Sequence, residues 1–196
     1  MDNPLGKKSP NHFRLTYKGW DLLLRPLIPS DKGIMKAYYQ KLSEKTKYLR
    51  FFAIRNSLSE YQLNYFTNVD GVNHIAWGIM DETDSINEPV GVGRIIRLKE
   101  QRDKAEVAIT VTDSYQKKGM GRILFALINL IATEAGITVL RHQVLPDNVF
   151  VLGFLERFGI LNQSIEEGMT IVETTVLSDE EVFQRYPMME GFRNIS

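Results

Sequence analysis

Gln116-Lys117-Lys118-Gly119-Met120-Gly121-Arg122 stands between a strand-like run, Ala105 to Val111, and the clearest helical pattern in the chain, Arg122 to Ala135. In that helical run Ile123, Leu127, Leu130 and Ile131 recur at helical spacing, and Gly136 supplies a stop. A helix begins with unpaired N–H groups and a partial positive charge, so an anion can dock at such a strand-to-helix loop on main-chain groups alone. Gly119 and Gly121 remove the Cβ atoms that would hold a phosphate away, and Lys117, Lys118 and Arg122 add cationic charge. A pyrophosphate would fit. The loop is not a P-loop, because no G-x-x-x-x-G-K-[ST] is present, and not a dinucleotide fingerprint, because the third glycine is missing. Two glycines also make an ordinary turn, so spacing alone leaves both readings open.

On the N-terminal side of this junction, Trp20 to Leu27 reads as a strand stopped by Pro26 and Pro29, with Ser30 or Asp31 capping a helix through Lys41. Residues 43 to 69 are rich in aromatics, with Ser57 and Ser59 as caps for a short second helix. His74 to Met80, Val90 to Leu98 and Ala105 to Val111 read as three antiparallel strands. Beyond the helix, Ile137 to Leu145 reads as a buried strand, Pro146-Asp147-Asn148 as a turn, and Val149 to Phe158 as a helix stopped by Gly159. Ile165 to Leu177 holds one or two closing strands, and no structure is assigned from Ser178 onward. The pattern implies one α+β domain over residues 20–177, with an N-terminal extension (1–19) and a C-terminal tail (178–196).

At 196 residues the chain can bury more than two-thirds of its unfolded surface without staples. The hydrophobic share of 43% and charged share of 24% exclude a disordered or fibrous chain. Twenty-four Lys plus Arg balance twenty-four Asp plus Glu, which argues against a general nucleic-acid binder. Zero cysteines remove disulfides, thiolate metal sites and thiol nucleophiles. His12 and His74 have no second ligand at usable spacing, so no metal is expected. The longest apolar stretch, around Ile123 to Ile131, is interrupted by Asn129 and is too short for a membrane span; residues 1 to 10 carry no signal-like apolar core, and the expected setting is cytoplasmic. Residues 1–50 hold eleven Lys/Arg and four Asp/Glu, and residues 161–196 hold two Arg and seven Asp/Glu. The two ends are therefore expected to attract each other, to form oppositely charged solvated faces, or to dock an acidic partner.

Gln116-x-x-Gly119-x-Gly121 at a strand-to-helix junction resembles the acetyl-CoA pyrophosphate motif [Q/R]-x-x-G-x-[G/A] of the GNAT N-acetyltransferase superfamily. The order that follows is similar too: helix, strand ending Val144-Leu145, Asn148 opening a helix, then Leu155-Glu156-Arg157-Phe158-Gly159. Tyr48-x-Arg50-Phe51-Phe52, Val90-Gly91-Val92-Gly93-Arg94, Ala105-Glu106-Val107-Ala108 and Val144-Leu145-Pro146-Asp147-Asn148 look most like the catalytic domain of bacterial protein lysine acetyltransferases, which modify acyl-CoA synthetases. The resemblance implies a GNAT fold: a mixed, mostly antiparallel sheet of about six or seven strands, splayed between the strands flanking the CoA-binding helix, with helices on both faces. It implies acetyl transfer from acetyl-CoA to an amine, with a protein lysine as acceptor, no metal, and a monomer or homodimer. A small-molecule amine, a protein N-terminus, or a non-catalytic acyl-CoA sensor are the alternatives.

The same resemblance assigns roles. Gln116, Lys117, Lys118, Gly119, Met120, Gly121 and Arg122 would hold the diphosphate; Ile109, Thr110 and Val111 would line the pantetheine, with an amide of Ile109 or Val111 stabilising the oxyanion; Asn148 would lie beside the arm or cap its helix. Arg50 and Phe51 would wall the acceptor groove, although aromatic packing also explains Phe51. An attacking ammonium must lose a proton. Strand alternation separates Glu106, Ala108 and Thr110 from Ala105, Val107, Ile109 and Val111, and burial would adapt Glu106 to act as general base. An ion pair with Arg94 or Arg97 is the other reading of Glu106. Leu155 stands where many relatives carry a tyrosine acid, which leaves water to protonate the departing thiolate. His142 reads as a structural or surface histidine.

Overall fold

The computed structural model describes residues 12–53, 56–85 and 87–194; the start of the N-terminal extension therefore lies outside the described residues. β1 (Phe13–Tyr17) and β2 (Trp20–Pro26) form a hairpin. α1 (Lys32–Lys41) follows; Asp31 stands at its N-cap but turns its carboxylate to the Arg25 guanidinium, at 2.7 Å on both oxygens, and to Ile28 N–H at 2.9 Å. Two helices, not one, occupy the aromatic-rich stretch: α2 (Glu44–Phe51), capped by Ser43, and α3 (Glu60–Thr67), capped by Ser59 through a capping box with Gln62. β3 (His74–Asp81), β4 (Glu88–Arg97) and β5 (Lys104–Val111) are antiparallel neighbours. α4 (Met120–Glu134), β6 (Val139–Val144), α5 (Val149–Leu155), β7 (Ile160–Glu166), β8 (Met169–Thr175) and α6 (Asp179–Arg185) complete the chain, with a closing 3-10 segment at Pro187–Asn194.

The eight strands form one sheet in the order β1-β2-β3-β4-β5-β6-β8-β7. Its only parallel pair among the described strands is β5 with β6, and that pairing stops at Val107 opposite His142. Past that point β5 runs on to Val111 and β6 to Val144 without a shared ladder. The fork faces the start of α4, so the splay and the glycine loop belong to one feature.

α4 covers one face of the sheet and α1 to α3 cover the other. Eleven of the fifteen residues of α4 are buried, which fits a helix that is apolar almost all round and is enclosed on both sides. Its close approach to the sheet is permitted by Gly91, where a Cβ would lie 2.8 Å from Thr110 O and 3.0 Å from Leu124 Cδ1. On its outer side lie α6 and the 3-10 segment, with Val182, Phe183, Tyr186, Met189 and Phe192 buried. Phe192 meets Phe13 edge-on at 5.7 Å and lies 6.4 Å from Trp77.

Packing therefore does not break at residues 20 and 177, where the sequence reading drew its boundaries. β1 is an integral strand, and the segment after Ser178 is core. The reason is that α4 carries more apolar surface than the sheet alone can cover. The described ends meet through Phe13 and Phe192 rather than through opposite charges, since Arg14 pairs with Glu82 and Arg193 with Glu180 and Glu190 inside the C-terminal segment. No helix among the described residues is long and apolar enough to cross a membrane.

Candidate active site

The loop before α4 is held from beneath. Asp113 accepts hydrogen bonds from Ser43 N (2.8 Å), Ser43 Oγ (2.6 Å) and Thr46 Oγ1 (2.9 Å), and these bonds, with burial working against them, leave its pKa below the usual carboxylate value. Tyr115 donates its hydroxyl to Asp81 at 2.6 Å. Gln116 donates Nε2 to Thr46 Oγ1 and to Val111 O, both at 3.0 Å, so its side chain braces the loop and leaves contact with a ligand to the backbone. Met120 is fully buried and likewise offers only its amide.

The chain then turns through Lys117 (φ 58°) and Gly119 (φ 103°). A Cβ on Gly119 would come within 2.4 Å of the Tyr17 hydroxyl, so both conformation and space require glycine there. A Cβ on Gly121 would meet nothing within 4 Å, so that side of the cradle is open. Among the described residues no backbone acceptor is found for the N–H groups of Lys117, Lys118, Gly119, Met120 and Gly121. Lys118 lies over the rings of Trp20 (5.4 Å) and Tyr115 (5.7 Å), which fixes its ammonium beside the loop. Orphan amides, a helix start and adjacent cations together fit a diphosphate.

The fork offers a second set of free groups. Thr112 donates its N–H to Val90 on β4, and Lys104 accepts from Leu98, so the even-numbered residues of β5 turn their main chain towards β4. The odd-numbered residues face β6. Beyond Val107 there is no β6 partner, which leaves Ile109 N–H and C=O and Val111 N–H unpaired among the described residues, while Val111 O is taken by Gln116. An extended arm inserted here would pair as a surrogate strand. Thr110 faces β4 and gives its carbonyl to the Tyr38 hydroxyl at 2.9 Å, so its part in lining the arm is not main-chain pairing.

Glu106 stands at the closed end of the fork, opposite Ile96 on β4 and Arg141 on β6. Its carboxylate accepts from Gln143 Nε2 at 3.3 Å and lies 4.0 Å from Arg141 Nε. The expected alternative, a pair with Arg94 or Arg97, is not formed: Arg97 reaches past it to Ala135 O at the end of α4 (2.7 Å), and Arg94 turns to His74 and to Phe66 O (2.8 Å). Glu106 is also less enclosed than expected, with 37% of its side chain exposed. Asn148 accepts from Val151 N at 3.4 Å and so caps α5. Leu155 is buried in the core.

On the face away from α4, a small, open pocket is lined by Tyr38, Arg50, Phe51, Phe66, Arg94 and Thr110, among others. Arg50 and Phe51, the residues expected to wall an acceptor groove, both line it. Arg94, Tyr38, Phe66 and the adjoining His74 were not expected there; the available signal was Arg94 itself, a charge on a strand whose cross-strand neighbours on that face are Ala76 and Ala108. His142 is structural: it is buried against Phe125, shares a hydrogen bond with Thr174 at 3.2 Å, and burial pulls its pKa down to about 4. No group of three or more metal-ligating side chains occurs among the described residues.

The family described as acetyltransferase (GNAT) domain matches residues 21–160. The chain belongs to the GNAT acetyltransferase family. It is 29% identical over 153 residues to acetyltransferase Pat of Mycolicibacterium smegmatis, covering 78% of this chain and 45% of that protein, so it spans less than half of the relative's length. The crystal structure of the GNAT domain of S. lividans PAT matches with a TM-score of 0.74 at 26% identity, over 84% of this chain and 96% of that one. The yncA protein of Salmonella typhimurium, solved with its cofactor acetyl-CoA, shares the fold at a TM-score of 0.61 and 14% identity, over 80% and 95% of the two chains. The expected splayed GNAT sheet with helices on both faces is present, with eight strands where six or seven were expected.

Proposed function

We propose that this GNAT acetyltransferase moves the acetyl group of acetyl-CoA onto an amine, with a protein lysine as acceptor. The observation that carries the donor assignment is the alignment of two sets of orphan main-chain donors, the amides of Lys117 to Gly121 and those of Ile109 and Val111. They stand at the open end of β5 and at the start of α4, where an extended amide-bearing arm and a diphosphate would bind. Lys117, Lys118 and Arg122 neutralise the diphosphate, Asn148 and Thr110 line the arm, and Ile109 N–H donates to the thioester oxygen.

Glu106 takes a proton from the incoming ammonium, directly or through one water, because an alkylammonium with an ordinary pKa near 10.4 is almost wholly protonated at neutral pH. The free amine then attacks the carbonyl carbon, and negative charge passes to the oxygen held by the backbone amide. On collapse the nitrogen gives its extra proton to water, the C–S bond breaks and the thiolate departs. With an ordinary thiol pKa near 8.5 the thiolate leaves without a dedicated acid, consistent with Leu155, and water protonates it. The likeness to acetyltransferase Pat supports a macromolecular lysine as the acceptor.

The test incubates the chain with acetyl-CoA and a cell lysate or peptide array and reads acetylated products by mass. Lysine acetylation above the no-enzyme control is expected. Acetylation confined to N-termini or small amines would reassign the acceptor. Absence of any stabilisation by CoA, which a bound ligand gives as RT ln(1 + [L]/Kd), would remove the donor site.

A further inference from the structure

Arg94 is 3% exposed, in the middle of the sheet, where the small cross-strand residues Ala76 and Ala108 leave room above it. Arg50 reaches the same pocket from the end of α2. A buried guanidinium is normally matched by a carboxylate, because an unpaired buried charge is costly. Neither is matched here. The partners of Arg94 are neutral: the Phe66 carbonyl, the Phe66 ring at 5.0 Å, and the His74 imidazole. Burial and the neighbouring Arg94 charge bring His74 down to about 4, so it is uncharged at neutral pH. Asp70, the carboxylate that acts on His74, is committed to the N–H groups of Val72, Asn73 and His74, each at 2.8 Å. Arg50 lies over the Phe51 ring at 4.9 Å and forms no ion pair or hydrogen bond with the described residues. Burial, with the charge of Arg50 as the second cause, pulls Arg94 down to about 10.

Two cations that repel one another, walled by Tyr38, Phe51 and Phe66 and open to the acceptor side of the sheet, form an anion site with an apolar sleeve. We infer that this pocket takes a carboxylate carried by one of the two substrates, held by the guanidinium groups of Arg50 and Arg94. The inference rests on the acetyl-transfer reading above and narrows it. The carboxylate belongs either to the acceptor, close to the amine being acylated, or to the far end of a dicarboxylic acyl chain on the donor. A planar guanidinium suits a carboxylate because it donates two parallel N–H groups.

The test uses the full chain with matched substrates. The acceptor arm compares α-amino acids with their carboxamides, and lysine peptides bearing a neighbouring Glu with the same peptides bearing Gln, all with acetyl-CoA. The donor arm compares succinyl-CoA with acetyl-CoA on one neutral amine. In one arm the carboxylate form is expected to have a kcat/KM at least tenfold higher, and Arg50→Gln or Arg94→Gln is expected to bring that ratio towards one, a loss of about 10–100-fold in preference, as for a hydrogen bond to a charged group. Arg50→Gln, at the end of α2 rather than in the middle of the sheet, keeps the test alive if Arg94→Gln does not fold. Calorimetric titration of N-acetylglutamate against N-acetylglutamine, with CoA present, reads the pocket without turnover. Tenfold tighter binding of N-acetylglutamate in a chain that transfers nothing would uphold the anion site and sink the transferase reading. Equal use of charged and neutral substrates in both arms, or ratios unmoved by both variants, would overturn the inference while leaving acetyl transfer intact.

Discussion

Glu106 shows how a single residue's role depends on its position at a topological break. It lies one residue before the last paired position of β5, so its carboxylate shares the fork with the amides of Ile109 and Val111 and is met only by Gln143 and, at 4.0 Å, Arg141. The carboxylate proposed as the base is part-exposed there and is not tied into a tight ion pair. Glu106→Gln, which keeps size and hydrogen-bonding reach, is expected to lower kcat by about 10²–10⁴-fold. The thermal stabilisation produced by CoA should remain, because the cradle is untouched. Steady-state rates measured beside a CoA melting series check both, and undiminished turnover would remove Glu106 from the mechanism.

Among the elements, α2 and the loop before α4 act as one unit because Asp113 serves both. Its carboxylate caps the start of α2 through Ser43 and Thr46, and Thr46 in turn receives Gln116, whose other bond closes on Val111 O. The helix that carries Arg50 and Phe51 and the loop proposed to cradle the cofactor are thus linked by four side chains. Asp113→Ala is expected to cost about 1–2 kcal/mol of stability, the usual worth of a helix cap, and to raise the KM for acetyl-CoA as the loop loses its brace. Urea unfolding with a KM determination tests this. A stability loss with an unchanged KM would show that the cap and the cradle are independent.

Over the whole molecule, α4 is a shared core layer, with the sheet beneath and α6 and the 3-10 segment above. Asn129 sits within it, donating to Phe125 O at 2.9 Å and accepting from Leu177 N at 2.8 Å, so the exit of β8 is pinned to the helix that follows the candidate cofactor loop. Ending the chain after Leu177 would uncover the side of α4 on which five buried side chains now lie, at roughly 1.5–3 kcal/mol for each large one lost. Such a chain is expected to be insoluble or partly folded, as read by near-ultraviolet dichroism and the heat-capacity change. A cooperative melt within a few degrees of the parent would refute that. The pH profile also belongs to the whole fold. His142 and His74 have pKa values lowered to about 4 against an ordinary 6.5, so below pH 6.5 the unfolded chain takes up protons that the native chain refuses. Stability is therefore fully present above about pH 6.5 and falls towards pH 4, by about 1.4 kcal/mol per pH unit for the fully buried His142. Asp70, held down to about 2, adds its own loss only below the ordinary carboxylate range. Urea midpoints at pH 7, 6 and 5 measure the slope, and His142→Gln should flatten it.

Local chemistry made much of this legible beforehand. Apolar periodicity marks α4 and the central strands, and Gln116-x-x-Gly119-x-Gly121 marks the loop proposed as the cradle, because both are consequences of short-range backbone geometry. Strand alternation alone puts Glu106 on the face opposite Val107 and Ile109. Three things depended on contacts far apart in the chain. The segment after Ser178 becomes core because α4 needs a cover, although Val182, Phe183, Tyr186, Met189 and Phe192 carried a readable apolar spacing. Arg94 meets Arg50 because β4 and α2 converge on one pocket, and no local pattern encodes that encounter. The amides of Ile109 and Val111 are free because β6 diverges after His142, and a strand's unpaired edge is a property of its neighbour, which a reading of its own residues does not contain.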